Sequence, residues 1–96
     1  MSKTDGILDL PVKGIWFDKI ASGEKTHEYR EYSKWHKISV FRYDKVRFRR
    51  GQTIKASDKA NTMLFEITGI VIMPGINTDL HIKKPVFDIM LGKRLY

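Results

Sequence analysis

Apolar side chains in this 96-residue chain come in short clusters with two different periods. Residues 7–12 (Ile-Leu-Asp-Leu-Pro-Val) alternate and predict a short first strand. Pro11 has no amide hydrogen to give a ladder, which confines that strand to a sheet edge or limits it to a strand end. Ile15, Trp16 and Ile20, with Lys19, recur at i, i+1, i+4 and i+5 and predict a helix over residues 14–22. Ser22-Gly23 supplies its stop, because glycine enters the left-handed conformation without a Cβ penalty. Residues 26–31 alternate again. On a strand, Thr26, Glu28 and Arg30 share one face, while His27, Tyr29 and Glu31 share the other. Ser33 is suited to cap a second short helix over 33–40, with Trp35, Ile38 and Phe41 turned inward.

The second half of the chain is β-rich. Residues 45–50 predict a strand with Val46 and Phe48 on one face and Lys45, Arg47 and Arg49 on the other; Gly51 ends it. Residues 53–55 and 61–73 predict further strands around a polar turn segment at 56–60. Gly69 marks a bulge or a barrel corner within the longer run, and Pro74-Gly75 breaks it. Residues 76–85 read as a loop with one helical turn. The last β segment is expected over 86–90 and 94–96, interrupted around Gly92. Short strands at short spacing with two small helices predict an α+β fold. The expected architecture is a small β-barrel of about five or six mostly antiparallel strands, in one domain over residues 1–96. No internal repeat or low-complexity segment interrupts it.

Composition narrows the function classes. There is no cysteine, which removes disulfide staples, thiol catalysis and cysteine-based zinc sites and fits a reducing, cytoplasmic setting. No long apolar run marks a signal peptide or a membrane span, so no membrane partner is expected. The 18 basic residues outnumber the 11 acidic ones, for a net charge of +7. A surplus of that size on a small domain attracts polyanions, and nucleic acid is the commonest of these.

The charges are not evenly spread. Residues 23–30 read Gly-Glu-Lys-Thr-His-Glu-Tyr-Arg, placing Lys25, Glu28 and Arg30 between a helix stop and a strand. The Lys25 stem is long enough to return its amine over the face that carries Glu28. The structural reading is an ion-pair cluster that pins a loop. The functional reading is a pocket in which Lys25 and Arg30 hold a phosphate or a carbonyl oxygen and Glu28 accepts hydrogen bonds from a base edge. The pattern Gly-x-Lys-x-x-Glu-x-Arg resembles the signature of the ASCH family (activating signal cointegrator homology), a small PUA-like β-barrel. The stretch 16–23 resembles the family's helix before that signature. Residues 43–46, 48–51, 64–70 and 89–93, with Trp35, resemble later blocks of small bacterial and phage members. The resemblance implies that Lys25, Glu28 and Arg30 line a cleft between the barrel and its first helix, and that the ligand there is RNA or a nucleotide.

The same resemblance carries an alternative, a small hydrolase. Some relatives are amidohydrolases on a modified nucleoside, and ribonuclease activity has been attributed to others. The amidohydrolases use a threonine where this chain has Glu28, and a carboxylate replaces that hydroxyl poorly in acyl transfer. Phosphodiester cleavage asks less: Lys25 and Arg30 stabilise charge on phosphorus while Glu28 or His27 moves a proton. In that case Lys25 and Glu28 are the catalytic pair.

Arg47, Arg49 and Arg50 form a second basic region, opposed in the local sequence by Asp44 alone and flanked by Phe41, Tyr43 and Phe48. It reads as a solvated strand face or as a track for phosphates. His27, His36 and His81 have no metal-ligand spacing, so neither a metal site nor a cofactor is expected.

Overall fold

Val46 and Phe48 are fully buried, on a strand with a neighbour on either side. The structure is a computed structural model and describes residues 6–32, 43–78 and 80–96. Five strands are described: β1 (Ile7–Val12), β2 (His27–Glu31), β3 (Lys45–Arg50), β4 (Thr62–Pro74) and β5 (Pro85–Arg94). One complete α-helix, α1 (Gly14–Ser22), lies between β1 and β2. Single 3-10 turns at Lys59–Asn61 and Gly75–Asn77 flank β4. The second helix expected over residues 33–40, with Trp35, Ile38 and Phe41, lies outside the described residues.

The strands form one sheet in the order β1-β3-β4-β5-β2, curled into a half-barrel. The sheet is mixed, which corrects the expectation of mostly antiparallel strands. β1 runs parallel to β3, in register from Ile7 opposite Lys45 to Val12 opposite Arg50. The chain leaves β1 at one edge, passes through α1 to β2 at the other edge, and returns to β3 beside its start. A parallel neighbour needs such a long crossover, whereas a hairpin would have made the pair antiparallel. Alternation along a strand says which side chains are inward but nothing about direction. Pro11 sits on the edge strand β1, where its missing donor costs no ladder bond.

The core fills the inside of the curl. Leu8, Leu10 and Val12 from β1 meet Val46 and Phe48 from β3, Met63, Phe65 and Ile70 from β4, and Phe87 and Ile89 from β5. Helix α1 contributes Phe17 and Ile20, an i, i+3 pair that shares one side of the helix. Ile15, expected to face inward, is 60% exposed, and Trp16 is only half-buried. The inward stripe of the helix is thus rotated by about one residue from the expected one.

Two further corrections concern β boundaries. Residues 53–55 form no strand: the Arg49 Nη1 donates to the carbonyls of Gln52 (3.2 Å) and Ile54 (3.0 Å), so these acceptors serve a side chain rather than a ladder. The last segment is one continuous strand through Gly92. A Cβ on Gly92 would stand 2.8 Å from Cγ2 of Thr68, so this glycine allows two strands to approach rather than interrupting one. The irregularity expected at Gly69 is present, as register shifts between β4 and β5 on either side of Ile67.

Candidate binding cleft at the seam of the sheet

The half-barrel leaves a seam between its two edge strands, and Lys25, Glu28 and Arg30 stand in it. Gly23 ends α1 with φ 85°, a left-handed conformation that suits glycine, and its amide donates to the Ile20 carbonyl. The Lys25 amide then donates to the Lys19 carbonyl at 3.0 Å. This tight stop turns the chain so that Lys25 leaves the helix end beside the first residues of β2.

On β2, Glu28 pairs with Ile89, which pairs in turn with Ile70, so its carboxylate lies on the core face. A buried carboxylate must be paired and hydrogen-bonded to be tolerated. Glu28 Oε2 accepts from Arg30 Nε at 2.9 Å, and Oε1 lies 3.8 Å from Lys25 Nζ. The three side chains are only 9–14% exposed: Glu28 9%, Lys25 10%, Arg30 14%. Arg30 reaches further, donating from Nη2 to the Pro11 carbonyl at 2.8 Å. One guanidinium therefore ties β2 to β1 across the seam, where no ladder bond is made.

The cluster is walled by rings and opens on hollows. The Lys25 ammonium stands 5.3 Å from the centroid of Trp16 and 5.1 Å from that of Tyr29. Lys19 approaches Trp16 at 5.3 Å as well. A cavity of about 460 Å³ is lined by Trp16, Lys19, Lys25, His27, Tyr29 and Thr78, among others. A second, of about 420 Å³, lies in the seam between Pro11, Lys13, Trp16, Glu28, Arg30 and Leu80. Trp16 and Tyr29 belong to both walls. Because β2 is an edge strand, residues from both its faces reach these hollows, which strict alternation would have separated.

The basic strand is arranged differently. Parallel pairing sets Asp9 opposite Arg47, and its Oδ1 accepts from Arg47 Nε at 3.3 Å and Arg49 Nε at 3.2 Å. Arg50 grips the Asp18 carboxylate of α1 and stacks over the Phe17 ring at 5.6 Å. That hydrogen bond raises the Arg50 pKa above its ordinary value. All three arginines expected as phosphate contacts thus hold carboxylates from β1 and α1. Asp9 and Asp18 are distant in sequence, so local charge counting around Asp44 missed them.

His27 and Asp88 make a contact that spacing did not foresee. His27 Nδ1 lies 2.7 Å from Asp88 Oδ1, and the imidazole stacks on Tyr29 with centroids 6.0 Å apart and planes 7° from parallel. Asp88 is the one charged residue in the apolar run Val86-Phe87-Asp88-Ile89-Met90, a signal that could have drawn notice. His81 lies in the loop before β5, and His36 lies outside the described residues. Among the described residues, no three His, Cys, Asp or Glu side chains are grouped to hold a metal ion. No helix among them is long and apolar enough to cross a membrane. Comparisons with protein-family models, curated proteins and solved structures found no match.

Proposed function

We propose that this chain is a nucleic-acid-binding module of the ASCH type that holds single-stranded RNA or a nucleotide in the seam cleft. One observation carries the reading: Lys25 and Arg30 converge on Glu28 at the mouth of hollows walled by Trp16 and Tyr29. Such a site combines the two parts that single-stranded ligands need. Cations meet the backbone phosphate, and flat rings meet the base, whatever its identity. The Lys19 and Lys25 ammoniums rest against Trp16. An arriving phosphate draws them toward itself and leaves a ring face for the base. Glu28 already accepts from Arg30 and pairs with Lys25, but a carboxylate has lone pairs enough to take a further donor from a base edge.

The arrangement is unfavourable for acyl transfer. A carboxylate pinned between two cations is a poor nucleophile, and its acyl product would be an anhydride. The surface arginines of β3 add long-range attraction rather than the site itself, since each is already bound to a carboxylate.

The test is an anisotropy titration of a short fluorescent oligouridylate at several salt concentrations. Saturable binding that weakens with salt and is lost in Lys25→Ala supports the cleft. Binding that persists in Lys25→Ala and disappears in Arg47→Ala with Arg49→Ala assigns the ligand to the strand face instead.

A further inference from the structure

We propose that His27 and Asp88 form an acid–base dyad that cleaves the phosphodiester of RNA held in the larger hollow. This rests on the binding reading above and goes beyond it. A carboxylate only accepts, so at 2.7 Å the Nδ1 of His27 carries the hydrogen and donates it to Asp88. In the neutral form of the ring the lone pair is then at Nε2, the nitrogen that a base needs toward a bound molecule. Asp88 is nine-tenths buried, and Tyr29 lies parallel to the ring, so the imidazole is held from behind and from one face. His27 itself is 41% exposed and lines the cavity that Lys19 and Lys25 also line. A base fixed in tautomer and orientation, open to a hollow that two ammoniums also line, is what a hydroxyl attack on phosphorus requires.

The step closes without a metal or a co-substrate. Nε2 takes the proton of the ribose 2′-hydroxyl as that oxygen bonds to the adjacent phosphorus. Lys19 and Lys25 meet the added negative charge on the phosphoryl oxygens. The bond from phosphorus to the 5′-oxygen breaks, and that oxygen leaves with the proton returned by His27. The products are a 2′,3′-cyclic phosphate end and a 5′-hydroxyl end. His27 is the catalytic residue and Asp88 a positioning residue. Glu24 also lines the cavity and pairs with Lys19 at 3.5 Å, so the hollow holds one carboxylate besides Asp88.

The experiment incubates the full chain with an end-labelled oligouridylate in buffer containing EDTA, beside its 2′-deoxy counterpart, and measures binding and cleavage of each. The account expects both to bind and only the ribose form to be cut. His27→Ala should lower the rate by about 100-fold or more with affinity kept, and added imidazole should restore part of it. Asp88→Asn should lower kcat with KM unchanged. Binding of both oligonucleotides with cleavage of neither overturns the dyad and leaves the binding reading standing. Binding of neither removes both. Ribose-dependent cleavage that His27→Ala and Asp88→Asn leave at full rate also overturns the assignment.

Discussion

Two clusters among the described residues set a pair of cations against one carboxylate. On the outer face of the sheet, Arg47 and Arg49 share Asp9. At the seam, Lys25 and Arg30 share Glu28. In charge the two are alike, yet their surroundings differ. Asp9 is 37% exposed, while Glu28 sits on the core face at 9%. Rings and two hollows adjoin the seam cluster, and among the described cavities none is lined by Arg47 or Arg49. The comparison teaches that a charge pattern locates cations, and that concavity and aromatic walls decide which cations can meet a ligand.

The largest effect should come from removing the central carboxylate of the seam cluster. Glu28→Gln leaves two shielded cations facing each other and should cost about 3–5 kcal/mol of stability in urea unfolding. Asp9→Asn disturbs an exposed pair and should cost about 1 kcal/mol or less. Equal losses would break the contrast in burial. Next, Trp16→Ala should weaken oligonucleotide binding by about 1–3 kcal/mol in an anisotropy titration, the usual worth of one stacked base. A smaller change is expected from Gly23→Ala. There the new Cβ meets open space but must adopt φ 85°, costing about 1 kcal/mol in thermal unfolding and loosening the turn that aims Lys25. Smallest of all, Arg49→Ala should leave oligonucleotide affinity nearly unchanged, because its guanidinium is engaged with Asp9 and two carbonyls. A large affinity loss there would move the ligand to the strand face.

Local order was legible in the sequence where one period dominated. Ile7–Val12, Gly14–Ser22 and Lys45–Arg50 carry unambiguous patterns and fold as those elements. The meeting of Lys25, Glu28 and Arg30 was also legible, because all three lie within one turn and one strand. What pairing decides was not. The parallel neighbour β3, the capture of Arg47 and Arg49 by Asp9, and the reach of Arg30 to the Pro11 carbonyl depend on which strands become neighbours. His27–Asp88 spans 61 positions, so no local rule joins the two residues. The one-residue rotation of α1 had a different origin: Phe17 and Ile20 out-compete Ile15 for the core once the helix is docked.

The most direct test is an NMR titration of the isotope-labelled chain with a short oligouridylate, following the backbone amides and the Trp16 indole N–H. Binding in the seam predicts that the indole signal and the amides of residues 25–30 shift together and saturate together. Shifts that concentrate on Lys45–Arg50 while the indole and residues 25–30 stay still would contradict it.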